Sequence, residues 1–550
     1  MSVDYKSLQN GSDIRGVALA TEGSPVTLGE EETKRLTAAF GKWLSEKTGK
    51  PVSRLTIAVG HDSRITAEKL KTAVCQSLSA SGVLVYDCGL SSTPAMFMST
   101  IFEDFKCDGA VMITASHLPY NRNGFKYFSK NGGLDKEDIA KIIKTAEGYG
   151  HDMPCSGSRP CSKPGSVVKK DLLSTYSAHM RKMIIKQVAG GADRQRPLAG
   201  LKIVVDAGNG AGGFYARDIL APLGADISGS RFLEPDGMFP GHEPNPENKE
   251  AMESIRQAVI QNKADLGLIF DTDVDRSSAV DQNGREISRN AIVAMAAALI
   301  AKEHPGTTVV TDSITSDQLT EYLEQCLGLK HLRYKRGYRN VINKAMELNE
   351  HGIDSQLAIE TSGHAAYKEN YFLDDGAYLA TKIVIKLAQI RNAGLAAAGR
   401  EPSVSGGTSE SAGQKAPGID VLLSSLREPA ESMEYRFSIE REDFSAYADK
   451  VLEYLRQWVL SEEGRKVCAS LAQPNYEGVR INFRLPGRDG SHQDADGDRR
   501  LEGWCLLRKS LHDPKMPLNI EVTSGSCRLI LDIVRQALAG FDLKLSLIHI

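Results

Sequence analysis

The sequence predicts a multidomain α/β protein, and three observations carry that prediction. Three segments repeat one design: a β-branched run, a polar or glycine-rich turn, then a helical pattern. They begin at Leu55-Thr56-Ile57-Ala58-Val59, Leu201-Lys202-Ile203-Val204-Val205 and Thr307-Thr308-Val309-Val310. Fifty glycines stand against 15 Phe and 3 Trp, a balance suited to many tight strand-to-helix turns. At 550 residues the chain exceeds one hydrophobic core, and roughly three or four domains is the expectation from length. Strands alternating with helices imply parallel or mixed sheets with ligand sites at strand ends. The repeats are too long and too divergent for a solenoid.

The connections follow in order. Residues 151–166, rich in Pro, Ser and Gly, and residues 189–200 read as linkers. Residues 394–418 are Ala/Gly/Ser-rich and free of aromatics, the composition of a disordered surface insertion. Residues 420–426 are short and apolar, and 434–439 looks like a strand leaving the third unit. The final segment changes character: a helix over 444–459, strands around 479–485 and 504–508, and a last helix over 528–539. That is an α+β module with the character of a lid. Residues 544–550 carry no pattern.

Composition narrows the function. Hydrophobic residues make up 41%, charged residues 25%, and the net charge is −3, so no basic excess points to nucleic acid. No apolar stretch approaches the ~20 residues of a membrane span. Residues 1–10 lack a signal-peptide core and are not Arg-rich, so the fold is expected to begin by Gly11. Nine cysteines show no paired metal spacing. Cys155 and Cys161 flank a loop, but the odd total favours free thiols in a reducing compartment. The expected location is the cytoplasm, or an organelle should a transit peptide precede the chain.

Four segments could carry chemistry. In the first, the apolar run Val111-Met112-Ile113 stops abruptly at Thr114-Ala115-Ser116-His117. A serine at a strand end, beside a histidine, is where a covalent carrier group would sit, although ordinary turns display the same pair. In the second, a buried strand at Leu266-Gly267-Leu268-Ile269-Phe270 runs into Asp271, Asp273 and Asp275, followed by Arg276. Carboxylates at i, i+2 and i+4 in a turn can converge on one hard cation, Mg²⁺ being the usual choice beside a phosphate. Without a cation they would repel and raise one another's pKa. Asp494, Asp496 and Asp498 repeat the spacing with no strand before them and read as a solvated loop.

The third segment places Glu360, Ser362 and His364 in one loop, with Asp374-Asp375-Gly376 after it. Acceptor, donor and switchable group together suit a polyol, and a histidine satisfied by local backbone fits the motif equally. In the fourth, a strand ends in Arg508, Lys509 and Ser510, residue types that hold a phosphate dianion and that also populate basic surface turns.

Together these segments resemble the α-D-phosphohexomutase family, in order and across nearly the whole chain. Asp13-Ile14-Arg15-Gly16 looks like the family's N-terminal Arg-Gly turn. Gly60-His61-Asp62-Ser63-Arg64 is similar to its Gly-Arg-Asp-x-Arg segment. Residues 114–119 with Asn123-Gly124-Phe125-Lys126 look like its phosphoserine loop. Pro235-Asp236-Gly237 and Pro244-Asn245-Pro246-Glu247 match a second-domain turn. Residues 271–276 resemble its metal loop, 360–364 its sugar-recognition loop, and 508–514 occupy the place of its phosphate loop.

The resemblance implies three similar α/β domains with mixed sheets plus a C-terminal α+β (TBP-like) domain around a central cleft. The implied domains are 1–190, 191–303, 304–433 and 434–545. The implied activity is an intramolecular phosphotransferase that interconverts hexose 1-phosphate and hexose 6-phosphate. Ser116 would carry the phosphoryl group and, with Asp271, Asp273 and Asp275, bind one Mg²⁺. Hexose 1,6-bisphosphate would be intermediate and activator. Lys126 would act as base with Arg15 as electrostatic partner, and His117 would lie beside the nucleophile. Arg276, Glu360, Ser362 and His364 would bind the sugar, and Arg508, Lys509 and Ser510 the non-reacting phosphate. The partner is a small-molecule hexose phosphate, with no nucleic acid and no membrane, on a monomer or homodimer. The alternatives are a weakly active or non-catalytic sugar-phosphate-binding relative with a regulatory role, and a phosphatase with an aspartate nucleophile.

The chain departs from the family pattern at several positions. Leu118 replaces an asparagine after Ser-His, and Thr272 and Val274 replace two glycines of the metal loop. Lys335-Arg336-Gly337-Tyr338 stands where many members carry Thr-Gly-His. Leu511-His512 replaces Gly-Thr in the phosphate loop, Asp513 replaces a glutamate, and Pro517 stands where a second basic residue is common.

Overall fold

The computed structural model describes residues 3–149, 164–188, 195–397, 417–485, 501–510 and 513–547. The chain forms two compact units, one of residues 1–304 with 355–424 and the other of 305–354 with 425–550.

The first unit opens with an eight-stranded mixed sheet. Thr56–His61 lies parallel to both Leu84–Leu90 and Gly109–Ile113. Gly109–Ile113 then pairs antiparallel with Arg122–Ser129, which pairs antiparallel with Asp13–Val17. All five residues of Gly109–Ile113 are buried, which is why that strand reads as an unbroken apolar run rather than an alternation. Helices Glu30–Thr48, Ala67–Ala80 and Lys136–Gly148 supply Leu36, Phe40, Leu44, Leu70, Val74, Ile139 and Ile143 to the core.

A second sheet of four strands follows. Ile203–Asp206 runs parallel to Leu266–Phe270, which turns back as Ser277–Asp281 in register Phe270↔Ser277. The helix Lys249–Asn262 covers it with Met252, Ile255 and Val259. Antiparallel strands Leu357–Ile359, Ala365–Tyr367 and Leu373–Asp374 and the buried helices Asn290–Ala301 and Gly376–Ala397 complete this unit. The last of these helices includes residues 394–397, where the composition predicted the start of a disordered insertion. These four residues continue the helix, so it runs further than the composition suggested. Residues 398–416 of that insertion lie outside the described residues, as do 151–163 and 189–194 of the predicted linkers.

In the second unit Thr308–Thr311 pairs parallel with Lys330–Arg333. A six-stranded sheet follows in the order Ala469–Leu471, Val479–Leu485, Leu501–Leu507, Lys515–Ser524, Glu431–Ser438, Lys544–Leu547, all antiparallel. Helices Phe444–Leu460 and Cys527–Ala537 pack on it through Val451, Leu455, Ile530 and Val534. Three expectations change here. The strand Glu431–Ser438 is a central member of this sheet rather than an exit from the third unit. Lys515–Ser524, unpredicted, is its longest strand at ten residues. Lys544–Leu547, which carried no sequence pattern, pairs with Glu431–Ser438 along the edge.

Among the described residues no helix is long and apolar enough to cross a membrane. Seven cysteines there are free thiols, while Cys155 and Cys161 lie outside the described residues.

Candidate active site

The site is assembled in the first unit from two strand ends. Gly109–Ile113 ends at Thr114, whose Oγ1 accepts a 2.8 Å hydrogen bond from the Ser116 amide. Ser116 itself is in the left-handed region at φ 49°, a conformation that costs an ordinary residue free energy and marks an over-determined loop. Arg64 supplies that determination. Its buried guanidinium donates to the carbonyls of Ser116, of Leu118 at 2.5 Å, of Pro119 at 2.8 Å and of Arg122 at 3.0 Å. Asp62 pairs with Arg64 at 3.3 Å. On the other side Arg15 donates to the Thr114 carbonyl and to Asp13 Oδ2 at 2.8 Å.

The second strand end is Leu266–Phe270, and the turn after it carries the three aspartates. Ser116 Oγ donates to Asp271 Oδ2 at 2.8 Å. Thr93 Oγ1 donates to Asp273 Oδ2, and Lys126 Nζ lies 3.3 Å from the same oxygen while also pairing with Asp275. Carboxylate oxygens of Asp271, Asp273 and Asp275 lie within 4.8 Å of one another, all buried. Burial and the neighbouring Asp275 and Asp273 push the Asp271 carboxyl well above the usual carboxylate range. Burial acts on Asp275 in the same direction, but Lys126, His364 and Arg276 outweigh it and hold that carboxyl below its ordinary value. Asp273 Oδ1 and Asp275 Oδ1 are buried with no hydrogen-bond partner. Unpartnered hard oxygens beside a carboxyl forced toward its neutral form fit a divalent cation of the Mg²⁺ type.

Arg276 ties this turn to the serine loop. Its Nε donates to Asp271 Oδ2 at 3.2 Å and one terminal nitrogen donates to His117 Nδ1 at 2.8 Å. The other reaches Asn245 Oδ1 at 3.1 Å and pairs with Glu247 at 3.6 Å. His117 Nδ1 is also 3.4 Å from Ser116 Oγ. Burial, with Arg276 and Arg15 adding to it, pushes the His117 imidazole down to about 2, so it is a neutral ring that accepts from Arg276.

The loop of Glu360, Ser362 and His364 packs directly on the aspartate turn. The Ser277 amide donates to the Gly363 carbonyl at 3.5 Å, and the backbones of Arg276 and His364 form an isolated antiparallel β-bridge. Gly363 is required: it has φ 91°, and a Cβ there would meet the Ser277 carbonyl at 2.6 Å. Glu360 and Ser362 are buried. His364 pairs with Asp374 and lies 3.9 Å from Asp275. Burial acts to lower its pKa, but Asp374 and Asp275 prevail and raise it to about 9.

The basic loop belongs to the second unit. The Arg508 amide donates to the Pro517 carbonyl at 3.1 Å and the Ser510 amide to the Lys515 carbonyl at 3.0 Å. Arg508 Nε is buried without a partner. Burial and the nearby Arg336 lower the guanidinium's pKa. Lys509 turns the other way, donating to Asp449 at 2.8 and 2.9 Å. Leu511 and His512 lie outside the described residues, as does the aspartate series at 494–498.

Models of the phosphoglucomutase/phosphomannomutase alpha/beta/alpha domains I, II and III match residues 6–150, 175–284 and 288–398. A phosphomannomutase/phosphoglucomutase of Pseudomonas syringae pv. tomato is 30% identical over 384 residues, 68% of this chain and 73% of that protein. The chain belongs to the phosphoglucomutase/phosphomannomutase family. A phosphoglucomutase of Neisseria gonorrhoeae is 29% identical over 375 residues, again 68% of this chain and 73% of that protein. A solved family structure from Burkholderia thailandensis shares the fold, with TM-score 0.73, 24% identity and 98% of both chains covered.

One departure from the family pattern has a physical reading. Val274 stands in place of a glycine and keeps the glycine-like backbone, at φ 66°, which is costly for a β-branched side chain. Its fully buried side chain offsets part of that cost. Arg64, Thr93 and Asn245 were not foreseen as site residues. Arg64 and Asn245 lie within recognised motifs, but hydrogen bonds to backbone carbonyls leave no sequence spacing. Thr93 had no signal at all.

Proposed function

We propose that this chain is a phosphohexomutase that interconverts hexose 1-phosphate and hexose 6-phosphate, with Ser116 as the phosphoryl carrier. The observation that carries the reading is the hydrogen bond from Ser116 Oγ to Asp271 inside a buried three-aspartate turn. Ser116, Asp271, Asp273 and Asp275 would hold one Mg²⁺, which neutralises charge developing on the transferred phosphoryl group.

The chain's own residues do the rest. A sugar hydroxyl attacks the phosphorus carried on Ser116; the new P–O bond forms as the bond to Ser116 Oγ breaks, and the product is a hexose 1,6-bisphosphate. Lys126 is the proposed base for the hydroxyl proton; it is the ion-pair partner of Asp273 and Asp275, so it serves as that base only after releasing its own proton to solvent. Arg15 keeps its charge and stabilises the transferring oxygens. The bisphosphate then presents its other phosphate to Ser116, which regenerates the carrier, and the same bisphosphate primes an unphosphorylated enzyme. Arg64 holds the serine loop, burial together with Arg276 keeps His117 neutral beside the nucleophile, and Glu360 and Ser362 bind sugar hydroxyls. Arg508 and Ser510 clamp the non-reacting phosphate. The four segments 1–190, 191–303, 304–433 and 434–545 are the proposed domains. Free thiols suit a reducing compartment such as the cytoplasm.

A coupled assay with glucose, mannose and glucosamine 1-phosphates in Mg²⁺, primed with hexose 1,6-bisphosphate, tests this reading. Formation of a 6-phosphate from at least one is expected. No turnover with any of the three overturns it in favour of the non-catalytic alternative. Full activity in Ser116→Ala would instead favour an aspartate nucleophile.

A further inference from the structure

Asp206 ends the strand Ile203–Asp206 in the first unit, in register with Ile269 of the strand that leads into the aspartate turn. Neither Asp206 nor its neighbour His242 has a part in the chemistry above. The Asp206 carboxylate is fully buried. Its Oδ1 accepts from the Gly208 amide and from His242 Nε2, both at 3.0 Å, and its Oδ2 accepts from Ser254 Oγ at 2.7 Å. A buried carboxylate needs a counterion, and among the described residues His242 is the ion-pair partner that Asp206 has. The hydrogen bonds of the ring fix its charge. Nε2 faces the carboxylate, and Nδ1 lies 2.8 Å from the Glu243 carbonyl. Both oxygens accept, so both ring nitrogens donate, and only imidazolium carries two N–H groups.

The Glu243 carbonyl begins a short relay toward the nucleophile. It also accepts from the Asn245 amide at 2.8 Å. Asn245 Oδ1 accepts from the Glu247 amide and from a terminal nitrogen of Arg276, both at 3.1 Å, and Glu247 pairs with that same nitrogen at 3.6 Å. Arg276 in turn reaches Asp271 and His117, and its second terminal nitrogen lies 3.5 Å from Ser116 Oγ. We propose that His242, as imidazolium, is a positioning residue for phosphoryl transfer: through Glu243, Asn245 and Glu247 it sets where Arg276 meets the Ser116 loop. This rests on the reading of Ser116 as the carrier.

Deprotonation shows how the relay works. It leaves one N–H, which Asp206 retains, and turns a ring lone pair onto the Glu243 carbonyl. Donation becomes repulsion at the first link, and the loop shifts its grip on Arg276. The charges facing the ring are few. Asp206 and, from the helix Lys249–Asn262, Glu250 favour the cation. The Glu243 carboxylate is turned to the side chains of Asn245 at 3.2 Å and Asn248 at 3.5 Å, and the Arg231 guanidinium to the Ser254 carbonyl at 3.0 Å and Gln261 at 2.9 Å. Burial acts against charge on the ring, but Asp206, the Glu243 carbonyl and Glu250 prevail and raise its pKa. The ion pair is complete on the acid side of that raised value and is lost as pH rises through it.

The test compares the parent with His242→Gln, which keeps one donor for Asp206 and removes the charge. On the acid side the parent's kcat is expected to exceed the variant's by about tenfold, with KM within about twofold. That kcat ratio is expected to approach unity as pH rises. Its midpoint is expected to match the His242 imidazole midpoint in ¹H–¹³C histidine spectra, assigned by the same variant. A second readout needs no turnover. In ¹⁵N-arginine spectra the Arg276 Nε–H resonance, assigned with Arg276→Lys, is expected to move with the same midpoint in the parent and to stay still in His242→Gln. Asp206→Asn removes the other half of the pair and is expected to reproduce both effects. Absence of turnover in the parent counts against the mutase reading, and the arginine spectra then decide this inference. A kcat ratio that does not change with pH, or an Arg276 resonance indifferent to the His242 titration, overturns the proposal and leaves His242 a purely structural histidine.

Discussion

Ser116 Oγ donates a 2.8 Å hydrogen bond to Asp271 Oδ2, joining two strand ends 155 residues apart in the chain. The nucleophile is thereby placed against a carboxylate cluster that has more negative charge than its surroundings satisfy. Asp271 is pushed toward its neutral form by burial and by Asp275 and Asp273, and two aspartate oxygens are orphaned.

A cation relieves that repulsion, so Mg²⁺ is expected to stabilise the folded chain. At a hundredfold excess over Kd the gain is about 2.7 kcal/mol, seen as a rise in Tm by scanning fluorimetry. Chelation with EDTA reverses it. Asp273→Asn removes a ligand charge, and its Tm is expected to respond to Mg²⁺ by less than half as much as the parent's. Binding weakens as pH falls, because protons compete for the same carboxylates.

Arg64 spends its guanidinium on four carbonyls of the serine loop. Arg64→Ala leaves Asp62 buried and unpaired and is expected to cost about 3–5 kcal/mol of stability, measured by urea denaturation. Arg64→Lys keeps the charge but not the planar fork. It is expected to remain folded and to lose kcat by about tenfold or more, with KM nearly unchanged, since it loosens the loop rather than the sugar contacts.

The basic loop separates two residues that look alike in sequence. Lys509 is engaged by Asp449, and Arg508 has an unpartnered buried nitrogen. Arg508→Ala is expected to lower kcat/KM for hexose phosphates by about a hundredfold, as loss of a charge-assisted phosphate contact of about 3 kcal/mol requires. Lys509→Ala is expected to stay within about threefold of the parent. Steady-state kinetics on both variants checks the contrast.

Glu521 links stability to pH. Burial raises its carboxyl, Arg480 opposes that only in part, and the result is about 7. The folded state therefore binds this proton more tightly than the unfolded state does. The resulting stability is fully present below the unfolded value near 4.5 and is lost as pH rises through about 7. Relative to the parent, Glu521→Gln is expected to gain on the order of 1–3 kcal/mol between pH 5 and pH 8. Parallel denaturation curves across that range measure the difference.

What the sequence made legible was what burial and charge write locally. Gly109–Ile113 and Leu266–Phe270 are covered on both faces, so their apolar runs are continuous and their polar ends abrupt. The aspartate trio is local in sequence because one turn carries it. Other features depend on partners distant in sequence. Lys515–Ser524 contains Pro517 and alternates with Asn519 and Glu521, and it is a strand because Glu431–Ser438 and Leu501–Leu507 pair with it on either side. Lys544–Leu547 exists only as an edge pairing. Arg64 grips carbonyls, which any residue can offer. The grouping of 305–354 with the C-terminal segment is a property of packing that no local pattern records.

The central claim is that Ser116 carries the phosphoryl group. Phosphopeptide mass spectrometry after incubation with hexose 1,6-bisphosphate and Mg²⁺ tests it most directly. The account predicts one phosphate on Ser116 that disappears when excess hexose monophosphate is added, and none in Ser116→Ala. Turnover with Ser116 unmodified throughout would contradict it.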